Sequence, residues 1–77
     1  MTNRSVEPYY AALGTRIRRR RKELGITLTV LGKAIGVTYQ QMSKYEVGMN
    51  RPPVDKVAHI AIFLHVSLGW LILGEQP

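Results

Sequence analysis

The chain has 77 residues, 45% of them hydrophobic, no cysteine and a formal net charge of +6. One domain of this size buries roughly 60% of its unfolded surface, with no disulfide or thiolate-bound zinc to brace it. Its longest apolar run, Val66 to Leu73, is far short of the roughly 20 residues of a membrane span, and no targeting segment opens the chain, so a soluble, cytoplasmic protein is expected.

Residues 1–8 read as a flexible arm with one basic residue, Arg4. A helix is expected to start at Tyr9 or Tyr10, just after Pro8, and to run to Leu24. Leu13, Ile17 and Leu24 share one side of it at spacings of four and seven, and Gly25 stands where a left-handed C-cap belongs. Six of the eleven Lys and Arg residues lie on this helix, between Arg16 and Lys22. Such a run is either a solvated face or a surface for a polyanion, nucleic acid or anionic membrane. At 100° per residue Arg21 falls near Ile17 and Leu24 on the inward side. A lone buried guanidinium costs several kcal/mol, so it needs a partner unless it snorkels to water. Of the five acids, Glu46, beside Met42 and Tyr45, is the natural choice.

The stretch Leu28 to Val47, LTVLGKAIGVTYQQMSKYEV, is the most informative. Leu31 and Ile35 mark one face of a helix over 28–35, capped by Thr27. Met42 and Tyr45 mark one face of another over 38–47, capped by Thr38 and ended at Gly48. The apolar phase breaks at Gly36, the residue type that takes a left-handed backbone most easily. This is a helix-turn-helix. Met49 to Pro52 then forms a loop. Pro53 suits the first turn of a fourth helix, which carries Val57, Ile60, Ala61 and Leu64 on one face. Ser67 caps a last short helix, Leu68 to Leu73, closed by Gly74. No strand pattern or internal repeat appears, so the expected fold class is all-α, a compact five-helix domain over residues 9–77.

The segments RIRRRRKELGIT, VLGKAIGV and TYQQMSKYEVG, followed by the tail VDKVAHIAIFLHVSLGWLILGE, resemble the lambda-repressor-like helix-turn-helix family, also called the Cro/repressor or XRE type. The likeness covers about residues 13–74. It implies a domain that binds operator DNA as a dimer and regulates transcription, most often as a repressor. It also implies that Arg21 pairs with Glu46. Two positions depart from the family. Leu28 stands where a phosphate-contacting glutamine is usual, so that contact is expected to be absent or taken over by Thr27 or Thr29. Gly32 replaces the usual close-packing alanine, at about 1 kcal/mol of helix propensity.

In such a domain the third helix lies in the major groove. With Met42 and Tyr45 inward, Tyr39, Gln40, Gln41, Ser43 and Lys44 are free to look outward. Gln40 is the first candidate for a base contact, because its amide donates and accepts at once and so matches adenine N6 and N7. Gln41 is a similar candidate that can instead face the backbone. Lys44 can reach guanine or a phosphate, and Tyr39 a thymine methyl or a phosphate. The bland alternative for each is ordinary solvation. Backbone contacts are expected from Thr38 at the helix start, from Ser43, Thr27 and Thr29, from Asn50 and Arg51 in the following loop, and from Arg16 and Arg20. Arg18, Arg19 and Lys22 are left to strengthen the general field.

One such module reads few base pairs, so a homodimer on a near-palindrome is expected. Ile62 and Phe63 point away from the core direction of the fourth helix. On the last helix, Leu68 and Leu71 are expected to face the core, leaving Trp70, Ile72 and Leu73 to be shared between core and partner. RNA polymerase is a further partner if the protein activates. No enzyme, cofactor, metal, small-molecule ligand or membrane partner is expected. The acids are scattered, and His59 and His65, six apart, cannot share a metal as an i, i+4 pair would. The alternative reading is an antitoxin-type protein-interaction module that also binds DNA. Only Glu75, Gln76 and Pro77 follow Gly74, which leaves no partner-wrapping tail.

Overall fold

Among the described residues, apolar positions three and four apart, with a break at each turn, fold into five helices. The computed structural model describes residues 7–75: α1 Glu7–Glu23, α2 Leu28–Ile35, α3 Tyr39–Glu46, α4 Val54–Leu64 and a short π-type α5, Gly69–Leu73. Of the expected arm, residues 1–6 lie outside the described residues. Glu7 and Pro8 instead belong to α1. Proline is tolerated in a first turn because helices leave their first amides without an internal partner.

The core is drawn from all five helices. Ile17, Leu31, Met42, Ile60, Leu64 and Leu71 are fully enclosed, each worth about 1.5–3 kcal/mol over an exposed side chain. On α1 the inward row is Leu13, Ile17 and Arg21, spaced by four. Leu24 was expected to share it, but α1 ends at Glu23 and Leu24 is 38% exposed. Ile26, past the turn, packs against the core. Leu68 is also exposed, so Leu71 alone of the two fills the core from the last helix. Pro53 stands at the N-cap of α4 rather than inside it, and its carbonyl accepts the first helical bond from Val57 N at 3.0 Å.

Four helices end by one device. The amides of Ile26, Val37, Met49 and Val66 reach back to the carbonyls of Arg21, Gly32, Lys44 and Ala61 at 2.9–3.0 Å. The residue before each of these amides is left-handed, which is the Schellman arrangement. Three of those residues are glycine; the fourth is His65, at φ 57°. α1 and α3 cross closely at Gly14, where a Cβ would stand 2.6 Å from the carbonyl carbon of Glu46 and would also strike the carbonyl oxygens of Tyr45 and Glu46. That crossing brings the end of α3 against the middle of α1.

Candidate nucleic-acid interface

The α2–turn–α3 unit is fixed at each joint. Thr27 Oγ1 accepts from Val30 N, and Thr38 Oγ1 from Gln41 N, both at 3.1 Å. Each hydroxyl proton stays free to donate elsewhere. Gly36 takes φ 82° and ψ 30° at the corner. A Cβ on Gly32 would sit 2.7 Å from Val37 O, so the turn folds back over this position and an added methyl would force the turn backbone to shift. Lys56 Nζ on α4 donates to Ile35 O at 2.8 Å, closing the end of α2. Sequence reading missed that contact, since nothing local in VDKVAHI marks it.

α3 is sharply two-sided. Met42, Tyr45 and Glu46 are buried, while Tyr39, Gln40 and Lys44 are exposed on the other side. Gln41 is half-buried and donates through Nε2 to Asn50 Oδ1 at 3.4 Å, which links the helix to the loop after it. Ser43 is half-buried too; Thr29, Asn50 and Arg51 are exposed. The Arg51 guanidinium lies 5.7 Å from the centre of the Tyr10 ring, within cation–π range, and Tyr9 meets Tyr10 edge-on. The start of α1 thereby steadies the loop arginine.

Beneath α3, Arg21 grips Glu46 with two prongs, Nε to Oε2 at 2.7 Å and Nη2 to Oε1 at 3.1 Å. Its Nη1 donates to Ile26 O at 2.8 Å. The two residues are 8% and 5% exposed. Among the described residues no buried side-chain polar atom lacks a partner.

The rest of the basic run is distributed differently from expectation. Arg16 and Arg20 were expected to approach a DNA backbone. Instead, Arg16 donates to the carbonyls of Leu71 and Ile72 at 2.8 and 3.0 Å, and Arg20 to that of Leu64 at 2.9 Å. These acceptors are orphan carbonyls near the ends of α5 and α4, so both arginines serve the C-terminal part of the fold. Arg19 pairs with Glu23 at 3.4 Å and lies 5.8 Å from the Trp70 ring centre. Arg18, Arg19, Arg21 and Lys22 line a cleft beside α3, and of these Arg18 and Lys22 have no ion-pair partner among the described residues.

Ile62 is 72% exposed and Leu73 64%, with Phe63 at the edge of exposure. Trp70 and Ile72 pack partly against the core. Both histidines are exposed, and among the described residues no three metal-ligating side chains gather. No helix of the described residues is long and apolar enough to cross a membrane.

A family model described as helix-turn-helix matches residues 17–71. An uncharacterized HTH-type transcriptional regulator of Sinorhizobium fredii, y4wC, is 43% identical over 66 residues, covering 86% of this chain and 46% of that protein. A Sinorhizobium medicae counterpart is 40% identical over 58 residues, 75% of this chain and 42% of its own length. The chain thus spans less than half the length of these relatives. Among solved structures, the P22 c2 repressor in complex with a synthetic operator superposes with a TM-score of 0.77 at 33% identity, covering 82% of this chain and 96% of that one.

Proposed function

Because the chain belongs to the helix-turn-helix family, of the lambda-repressor-like type, we propose that it binds double-stranded DNA sequence-specifically as the reading module of a transcriptional regulator. The observation that carries this is the polarity of α3. Its one carboxylate, Glu46, is buried under Arg21, so the outward side offers Tyr39, Gln40 and Lys44 with no negative charge to repel phosphates. Gln40 reads a base edge, Lys44 and Tyr39 flank it, and Thr38, Asn50 and Arg51 hold the backbone. In the finer reading, two copies join through Ile62, Phe63, Trp70, Ile72 and Leu73 on a near-palindrome, and occupancy of that operator represses.

Selection of bound sites from random duplexes tests the reading. Half-sites about one helical turn, ~10 bp, apart are expected. Gln40→Ala should relax one base position at a cost of about 1–3 kcal/mol. Arg51→Ala should weaken all sequences alike and flatten the salt dependence by about one unit. Equal affinity for every duplex would refute sequence reading. A protein that sediments as a monomer both free and on its selected site would refute the dimer.

A further inference from the structure

The basic run on α1 divides by direction, and one part of it borders the reading helix. Arg16 and Arg20 are committed to carbonyls, Arg21 to Glu46, and Arg19 to Glu23. Arg18 and Lys22, four apart and therefore on one face, are exposed. Among the described residues neither has an ion-pair or hydrogen-bond partner. Both line a cleft of about 620 Å³ that Arg19 and Arg21 of the same helix, Ser43 of α3, Val47 at its C-cap and Leu28 at the start of α2 line as well. Among the described residues the one carboxylate lining it, Glu46, is already neutralised by Arg21.

Ser43 follows Gln40 by three residues and continues its row along α3, and Val47, seven residues on, stands at the helix's C-cap. A helix with its side chains is about 10–12 Å across, and the major groove is about 12 Å wide. When Gln40 faces the base edges, a groove wall therefore lies directly beside that row, and the wall is sugar and phosphate. We infer that Arg18 and Lys22, with the Ser43 hydroxyl, form a phosphate-binding cleft that grips the DNA backbone alongside the bases read by Gln40. The inference rests on the DNA-binding reading and extends it by giving α1 a contact of its own. Leu28, on the same cleft, has no side-chain donor to supply it.

The test is a salt titration of a fluorescent duplex carrying the selected site, with wild type, Arg18→Ala, Lys22→Ala and the double variant. Arg20→Ala serves as a control of equal charge change, since Arg20 lies outside the cleft and is held by Leu64 O. The slope of log affinity against log salt should fall by about 0.9 for each of the first two variants and by about 1.8 for the double. Arg20→Ala should stay near the wild-type slope, with base preference unchanged throughout. The Arg18 and Lys22 side chains are exposed, so the melting curves of their variants should overlay that of wild type. A neutral methylphosphonate walked along the backbone should weaken wild type at one flanking position and leave the double variant unaffected there. An unchanged slope in the double variant, or an equal fall with Arg20→Ala, overturns the cleft while wild type still binds. A wild type that binds no duplex overturns the DNA reading and the cleft together.

Discussion

Glu46→Ala should come close to unfolding the domain. The substitution removes both prongs of the grip, at 2.7 and 3.1 Å, and leaves a guanidinium that is only 8% exposed without its counter-charge. Breaking a buried pair from one side costs about 3–5 kcal/mol. A domain of 77 residues has only about 4–12 kcal/mol in all, at about 0.05–0.15 per residue. With an unfolding entropy of about 160 cal/mol/K at this size, the loss lowers Tm by about 19–31 °C. Circular dichroism melts of wild type, Glu46→Ala and the double variant Arg21→Met/Glu46→Met provide the measurement. The double variant removes both charges together and should recover most of the loss. It should remain about 1 kcal/mol short, because Ile26 O loses its donor. A Glu46→Ala shift under about 5 °C would mean that Arg21 swings out to water, and the argument from burial would fail. A double variant no better than the single would refute it equally.

Gly32→Ala gains about 1 kcal/mol of helix propensity yet places a methyl 2.7 Å from Val37 O, so a net loss of about 1–3 kcal/mol is expected; a raised urea midpoint would contradict it. Gly14→Ala should cost more, since its methyl meets the backbone of Tyr45 and Glu46 and α1 must lift from α3. His65→Gly should stabilise by about 0.5–1 kcal/mol, the left-handed strain relieved less glycine's extra unfolded-state freedom; an unchanged Tm would reveal a contact that rewards histidine there. Arg16→Ala should lower stability by about 1–3 kcal/mol through its two carbonyl bonds. It should leave the salt slope of DNA binding near wild type, and a slope change matching that of Arg18→Ala would return Arg16 to the interface.

The parts of the fold legible in the sequence were those set by neighbours along the chain. Thr27, Thr38 and Ser67 each cap a helix through an amide three residues on. Gly25, Gly36 and Gly48 take the left-handed corners. The Arg21–Glu46 contact was legible too, because a charge on an inward row has few places to go. Rotation about α1 was not. In RIRRRRK the basic residues cover most directions around the axis. The apolar row says which side is inward but not which flank meets α3 and which meets α4. That choice rests on how the helices cross, and the crossing depends on Gly14 and on carbonyls that no side-chain pattern records. The same limit hid Lys56, which serves a helix end 21 residues away, and made Leu24 look inward although the chain turns before it.

The sorting of arginines on α1 also sets how freely each can drift to lysine. At positions 16 and 21 the planar fork engages two atoms at once, and an ammonium has no such geometry. Exchange there would spoil the architecture while leaving the net charge intact. At positions 18 and 22 only a positive point is needed, so the two residue types are interchangeable. A mutational library scored separately for expression and for operator occupancy should divide this one short run into mortar and magnet.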